Sequence, residues 1–292
     1  MFKQSLWALA AAALFSFMAA FVKLCSDQLG PLELVFYRSL FGVISIALFV
    51  YKSKLSVRTP YLWGHIKRSV LGTLSVALWF YAIGKMTFGT CMTLIYMAAN
   101  FTILAFMRRE RAPWVLILSI LVGFTGVTVV LQPSFNQGEL IPALVCLFVS
   151  FIDLLVYWQM KELGNLKEPS WRIVFYFTIF GTVFGALGAV VFDGGMHVPT
   201  GMTIVGILGM GACATLGQIC TTRSYAYGNM LLSSCLGFSA IPFSALISYF
   251  LFGEAQSVLA LVGMSLIIAA GMTASVSTKR AEMKKTEVQK TA

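Results

Sequence analysis

Long apolar runs, broken by short polar stretches, fill the chain from residue 5 to residue 276. Ten of them approach the roughly 20 residues that a helix needs to cross a hydrocarbon layer. They lie at about 5–24, 32–51, 67–84, 88–107, 113–131, 139–160, 172–192, 202–225, 230–251 and 257–276. The runs are continuous, as in Val115–Leu131, and lack the alternation that β-barrel strands of about 10 residues require. The pattern predicts an all-α integral membrane protein. Two tight hairpins, Gly84-Lys85-Met86-Thr87 and Tyr227-Gly228-Asn229, separate the third span from the fourth and the eighth from the ninth. The first run follows Lys3 but exceeds a signal-peptide core and has no clear cleavage site, so a retained helix is expected.

Composition agrees with the pattern. Hydrophobic residues make up 59% of the chain and charged ones 11%, with a mean hydropathy of +0.85. Soluble domains carry roughly a quarter charged residues, so a soluble enzyme, a disordered chain and a nucleic-acid binder are excluded. The net charge of +10 reads first as topology. With an even number of spans both termini share one side. That side collects 17 basic residues, from Lys3, the 52–68 loop (Arg68 included), the 108–111 loop, Lys161, Lys167, Arg172 and the tail. The other side has only Lys85. This asymmetry predicts cytoplasmic termini, and the short loops and retained first helix point to a bacterial inner (plasma) membrane. The segment 279–292 reads as a disordered basic tail. The six cysteines show no CxxC spacing and read as buried thiols.

The chain also repeats itself. Tyr81-Ala82-Ile83-Gly84-Lys85-Met86 matches Tyr225-Ala226-Tyr227-Gly228-Asn229-Met230 at an offset of 144, which also places Glu110 on Glu254. Val35-Phe36-Tyr37-Arg38-Ser39-Leu40-Phe41-Gly42 resembles Val174-Phe175-Tyr176-Phe177-Thr178-Ile179-Phe180-Gly181 at an offset of 139. Two five-helix blocks are predicted, 1–134 and 135–278. Five is odd, so the second block enters the membrane from the opposite side. Inverted repeats of this kind recur in secondary transporters that work by alternating access.

On these residues the chain resembles the EamA-like transporters of the drug/metabolite transporter superfamily. The segments 81–110 and 225–254 carry the resemblance, each followed by a glycine-containing helix. The second is closer, with Ala240-Ile241-Pro242-Phe243 and Phe252-Gly253-Glu254. The first has Ala98-Ala99-Asn100-Phe101 where a proline is common. The resemblance implies a cavity formed mainly by the first, third, fourth, sixth, eighth and ninth helices. It also implies a metabolite or drug as substrate.

Polar side chains inside such a bundle are costly and few. Asp153, in span 6, stands about two turns from Lys161, beyond snorkelling reach. It reads as a proton site or a contact to a substrate amine, or as half of a structural ion pair. Arg223 either snorkels to the interface or turns inward to a carboxylate or to Asp153. Arg38 reads as structural, with Glu33 as its candidate partner, and Lys23 as snorkelling. Glu110 and Glu254 read as fixing a loop or a helix start. Phe15, Phe17, Trp79, Tyr81, Tyr96, Asn100, Tyr157 and Trp158 fall on cavity helices. The pairs Tyr96/Asn100 and Asp153/Tyr157 each share a helix face. Gln218 is the cavity candidate of span 8, with Thr222 four residues on. The substrate-binding set is therefore Phe17, Trp79, Tyr81, Tyr96, Asn100, Asp153, Tyr157, Gln218 and Arg223.

Catalytic patterns are missing. The chain has two histidines, no HExxH, no GxSxG and no P-loop, so neither a metal nor a cofactor is implied, and ATP is not the direct energy source. No filter-like segment suggests a channel. The sequence predicts a secondary transporter, monomeric or homodimeric, moving a small-molecule substrate with a possible proton couple. An amino acid or another zwitterion such as S-adenosylmethionine is favoured. A neutral or cationic aromatic compound (a purine, riboflavin or a drug) is the alternative.

Overall fold

The computed structural model describes residues 2–96, 115, 118, 121–123, 125–126, 129, 140–255 and 257–291. The second half of the fourth predicted span and most of the fifth, with Asn100 and Glu110, lie outside the described residues. The described elements are all helical: α1 (Phe2–Ser5), α2 (Trp7–Cys25), α3 (Pro31–Lys52), α4 (Leu62–Lys85), α5 (Phe88–Ile95), α6 (Leu140–Asn165), α7 (Ser170–Phe192), α8 (Met202–Tyr227), α9 (Met230–Gly237), α10 (Ala240–Phe252) and α11 (Val258–Thr291). Among the described residues six helices are long and apolar enough to cross a membrane, and two shorter apolar stretches, Ala240–Phe252 and Val258–Ala270, follow. The chain is a multi-pass membrane protein.

Three expectations change. The predicted ninth span is two helices, α9 and α10, separated by Phe238 and Ser239. Pro242 lacks the N–H that would return to the Phe238 carbonyl, so a proline there is tolerated only in the first turn of a new helix. The tail expected to be disordered continues α11 to Thr291. Its alanine, glutamate, methionine and lysine residues are good helix formers. The third span begins at Leu62 rather than 67, which draws Arg68 out of the loop and into the bundle, where it is 1% exposed.

The helices pack in reciprocal pairs: α2 lies along α8, α4 along α6, and α3 along α7. Small residues allow the α3–α7 crossing. A Cβ on Gly42 would meet Thr178, and one on Gly181 would meet Ser39. Further along, a Cβ on Gly185 would stand 2.6 Å from the Phe36 backbone nitrogen. Polar contacts repeat in the same reciprocal sense. The Tyr37 hydroxyl donates to the His197 carbonyl (2.7 Å), and the Tyr176 hydroxyl to that of Val57 (3.1 Å). Lys23 caps the end of α4 through the Met86 carbonyl (2.7 Å), and Lys161 caps the end of α8 through that of Gly228 (3.1 Å). The eight-residue helices α5 and α9 follow these caps at matching places.

At the end of the bundle reached by Lys23, the interior is apolar and tightly filled by Met18, Val22, Leu34, Phe80, Ile83, Phe88 and Met92. Glu254 ties that end together. Gly253 adopts a left-handed conformation (φ 64°) at the end of α10, a geometry that glycine takes without strain. Glu254 then accepts from the Phe88 N–H at the start of α5 (3.0 Å) and pairs with Lys23 (3.5 Å). This is the helix-start role expected of it, and Lys23 is engaged rather than snorkelling. Glu33 pairs with His197 (3.0 Å) instead of Arg38. At the opposite, lysine-rich end, Glu168 accepts from Thr59, His65 and Arg172.

Candidate functional site

Between the middle of the bundle and the lysine-rich end the helices leave a partly enclosed cavity. Two elements end beside it. α5 stops at Ile95, and its last carbonyls, Leu94 and Ile95, are taken up by the Ser150 hydroxyl (2.7 and 3.0 Å). α9 stops at Gly237, also on the cavity wall. Helices interrupted inside a membrane bundle are tolerated where they border a cavity, because backbone polar groups then find partners or water.

The polar lining is concentrated on three helices. α4 presents His65, Arg68, Gly72, Ser75 and Trp79 at three- and four-residue spacing, which makes one face, and all but His65 line the cavity. α6 presents Asp153, Val156, Tyr157 and Met160 in the same way. α8 adds Gln218, Thr221 and Tyr225. Asp153 is half-buried and accepts a hydrogen bond from the Ser75 hydroxyl at 2.5 Å. The rings of Tyr157 and Tyr225 stack at 4.1 Å, 5° from parallel, and the Tyr225 hydroxyl lies 3.3 Å from that of Ser234. Tyr96 closes the aromatic wall from the end of α5.

The basic lining comes from Arg68 and Arg38. Their guanidinium carbons stand 4.2 and 5.3 Å from the centroid of Phe177, close enough for cation–π attraction. Arg38 reaches Gln218 Oε1 at 3.5 Å. Together these groups offer a carboxylate, a tyrosine wall and two planar donor forks around one space. That set can hold an ammonium or aromatic group on one side and an acidic group on the other.

Of the residues singled out from sequence, Trp79, Tyr96, Asp153, Tyr157 and Gln218 line this cavity, as does Phe15. Phe17 and Tyr81 do not. They are 53% and 37% exposed, because two residues on from Phe15 or Trp79 a helix has turned to its other side. Trp158, next to Tyr157, faces outward for the same reason. Asn100 lies outside the described residues. Arg223 is exposed at the lysine-rich end, where its Nε donates to Gln4 (2.9 Å) and its guanidinium lies 5.0 Å from the Trp7 ring. It therefore does not reach Asp153.

The lining residues that sequence reasoning leaves aside are Arg68, Ser75, Phe177 and Tyr225, and Arg38, read first as structural, joins them. From sequence Arg68 reads, with its neighbour Lys67, as a loop charge. The 65–68–72–75–79 spacing was the signal that could have placed it on a lining face.

Residues 3–132 match the EamA-like transporter family. An uncharacterised transporter of Helicobacter pylori (strain J99) is 24% identical over 93% of this chain and 94% of its own. The pseudopaline exporter of Pseudomonas aeruginosa (strain PAO1) is 26% identical over 88% and 90%. The S-adenosylmethionine uptake transporter of Rickettsia felis is 23% identical over 91% and 90%. A solved crystal structure shares the fold, with a TM-score of 0.72 over 94% of this chain and 98% of that one at 18% identity.

Proposed function

We propose that this EamA-like transporter of the drug/metabolite superfamily moves a small zwitterionic metabolite, of the amino-acid kind, across a bacterial inner membrane. The observation that carries the reading is the meeting of Asp153, the stacked pair Tyr157 and Tyr225, and Arg68 and Arg38 around one cavity. The acid and the tyrosine faces suit an ammonium, and the arginines suit a carboxylate. S-adenosylmethionine, the cargo named for the Rickettsia relative, carries the same amino-acid head group with an added sulfonium charge. The tyrosines also favour a second reading, a neutral or cationic aromatic cargo. Two arginines against one aspartate weigh against a cation.

Ten helices as two inverted five-helix repeats, 1–134 and 135–278, supply the mechanism in this reading. Support comes from the reciprocal contacts: Tyr37 and Tyr176 on opposite loops, Gly42 against Thr178 and Gly181 against Ser39, and Lys23 and Lys161 at equivalent helix ends. Around α4 and α8 these contacts pair residues 142 apart, two fewer than the Tyr81/Tyr225 match. Rocking of one arrangement into its counterpart would expose the cavity to each side in turn. With the lysine-rich end in the cytoplasm, the cavity lies on the cytoplasmic side of the apolar core.

The test is flux in proteoliposomes with labelled amino acids, S-adenosylmethionine, a purine and a quaternary-amine dye, with and without a pH gradient. Saturable flux of a zwitterion is expected, together with its loss in Asp153→Asn at unchanged protein yield. Stimulation by the gradient would make Asp153 the proton site. Flux of the dye alone would overturn the zwitterion reading in favour of the cationic one.

A further inference from the structure

The two buried arginines are under-used. Among the described residues the ion pairs join Lys23 to Glu254, His65 and Arg172 to Glu168, and His197 to Glu33. None includes Arg38 or Arg68, although these are 3% and 1% exposed. Nε of Arg38 and Nε and Nη1 of Arg68 have no hydrogen-bond partner. The contact from Arg38 to Gln218 is long, at 3.5 Å. Asp153, the nearby acid, is engaged by Ser75 and makes no ion pair with either guanidinium.

A buried charge without a partner is strongly destabilising, and phenylalanine faces compensate only in part. Two such charges side by side also repel each other. Their common neighbour, Phe177, keeps both forks at one wall of the cavity. The lining therefore carries one excess positive charge and three idle donors, on guanidiniums that share the Phe177 ring. Neutrality and hydrogen-bond satisfaction are both reached when a ligand brings two carboxylates to the arginines and one ammonium to Asp153.

We propose that the cavity selects amino dicarboxylates, compounds with two carboxylates, one ammonium and a net charge of −1. The inference rests on the zwitterion reading of the same cavity and narrows it. A monocarboxylate zwitterion brings one negative charge to two guanidiniums and leaves the excess positive charge in place. A sulfonium zwitterion such as S-adenosylmethionine adds positive charge to a site already in excess.

Equilibrium binding to the purified full-length protein in detergent tests this. The probes are aspartate, glutamate and 2-aminoadipate; the amides asparagine and glutamine; and the amine-free acids succinate and glutarate. The amides keep size and ammonium but neutralise one carboxylate. At least one amino dicarboxylate is expected to bind about tenfold or more tightly than its amide and its amine-free counterpart. Arg38→Gln and Arg68→Gln should each bring acid and amide to within about twofold, and Arg68→Lys should restore part of the gap. The acid-to-amide ratio of the unaltered protein stands even where a variant folds poorly. Equal binding of acid and amide, or no binding by any of the three amino dicarboxylates, overturns the inference. Equal binding leaves the zwitterion reading intact. Absence of zwitterion flux in the liposome assay would remove that reading separately.

Discussion

The Ser75 hydroxyl sits one helix away from Asp153 and is its hydrogen-bond donor at 2.5 Å. A hydrogen bond to a charged group contributes about 1.5–3 kcal/mol, and Asp153, half open to the cavity, belongs at the lower end of that range. Ser75→Ala is expected to lower the unfolding free energy by about 1.5 kcal/mol, read from thermal melts in detergent, and to reduce flux without abolishing it. A melt unchanged from the parent would mean that water replaces the hydroxyl at no cost. At this scale the sequence was legible in part. Asp153, Tyr157, Tyr96, Trp79 and Gln218 stood out because a polar or amphipathic residue deep in an apolar run has few ways to be satisfied. Arg68 did not, since a charge near the end of a run reads equally as loop or lining until the helix start is known. Ser75 and Tyr225 are ordinary in a membrane helix, and only the opposing helix reveals what they touch.

At the scale of elements, the α3–α7 crossing depends on residues without side-chain bulk. Gly185 faces backbone, with Phe36 N at 2.6 Å and the Leu32 carbonyl at 3.0 Å from any added Cβ. Backbone cannot rotate away as a side chain can. Gly185→Ala is therefore expected to force the two helices apart and cost about 1–3 kcal/mol, measurable as a lower melting temperature. Gly237→Ala, with open space around its Cβ position, is the control that should not move it. Hydropathy located the six long helices seen among the described residues because span length is set by the bilayer and apolar content by lipid. It read 230–251 as one span because an interrupted helix and a continuous one have the same hydropathy. Pro242 was in view, but the break at Phe238 and Ser239 follows from the cavity beside it as much as from the proline.

At the scale of the whole molecule, the distribution of charge and the repeat belong together. The lysine-rich end is held by Glu168, joined to Thr59, His65 and Arg172, and the other end by Glu254 and Glu33. If the lysine-rich end is cytoplasmic, a cysteine at position 290 in intact cells should react with a membrane-impermeant maleimide only after permeabilisation. Labelling before permeabilisation would reverse the topology and place the cavity on the outer side. The repeat was visible in sequence where it serves packing, at Tyr37/Tyr176 and Gly42/Gly181. It is not legible at Asp153, Ser75 and Arg68, where the counterpart positions of the proposed repeat hold other residue types.

That difference has a kinetic meaning. In the proposed inverted repeat Asp153, Ser75 and Arg68 would correspond to Phe15, Gly217 and Met210, and a Cβ on Gly217 would touch the Phe15 ring at 3.1 Å. The frame is a palindrome, but its contents are not. A carrier that toggles between two such states need not grip its cargo equally in each. Half-saturation measured from one face of the membrane should differ from that measured from the other. The maximal velocities must differ in the same ratio, because with no gradient imposed the carrier can favour neither direction.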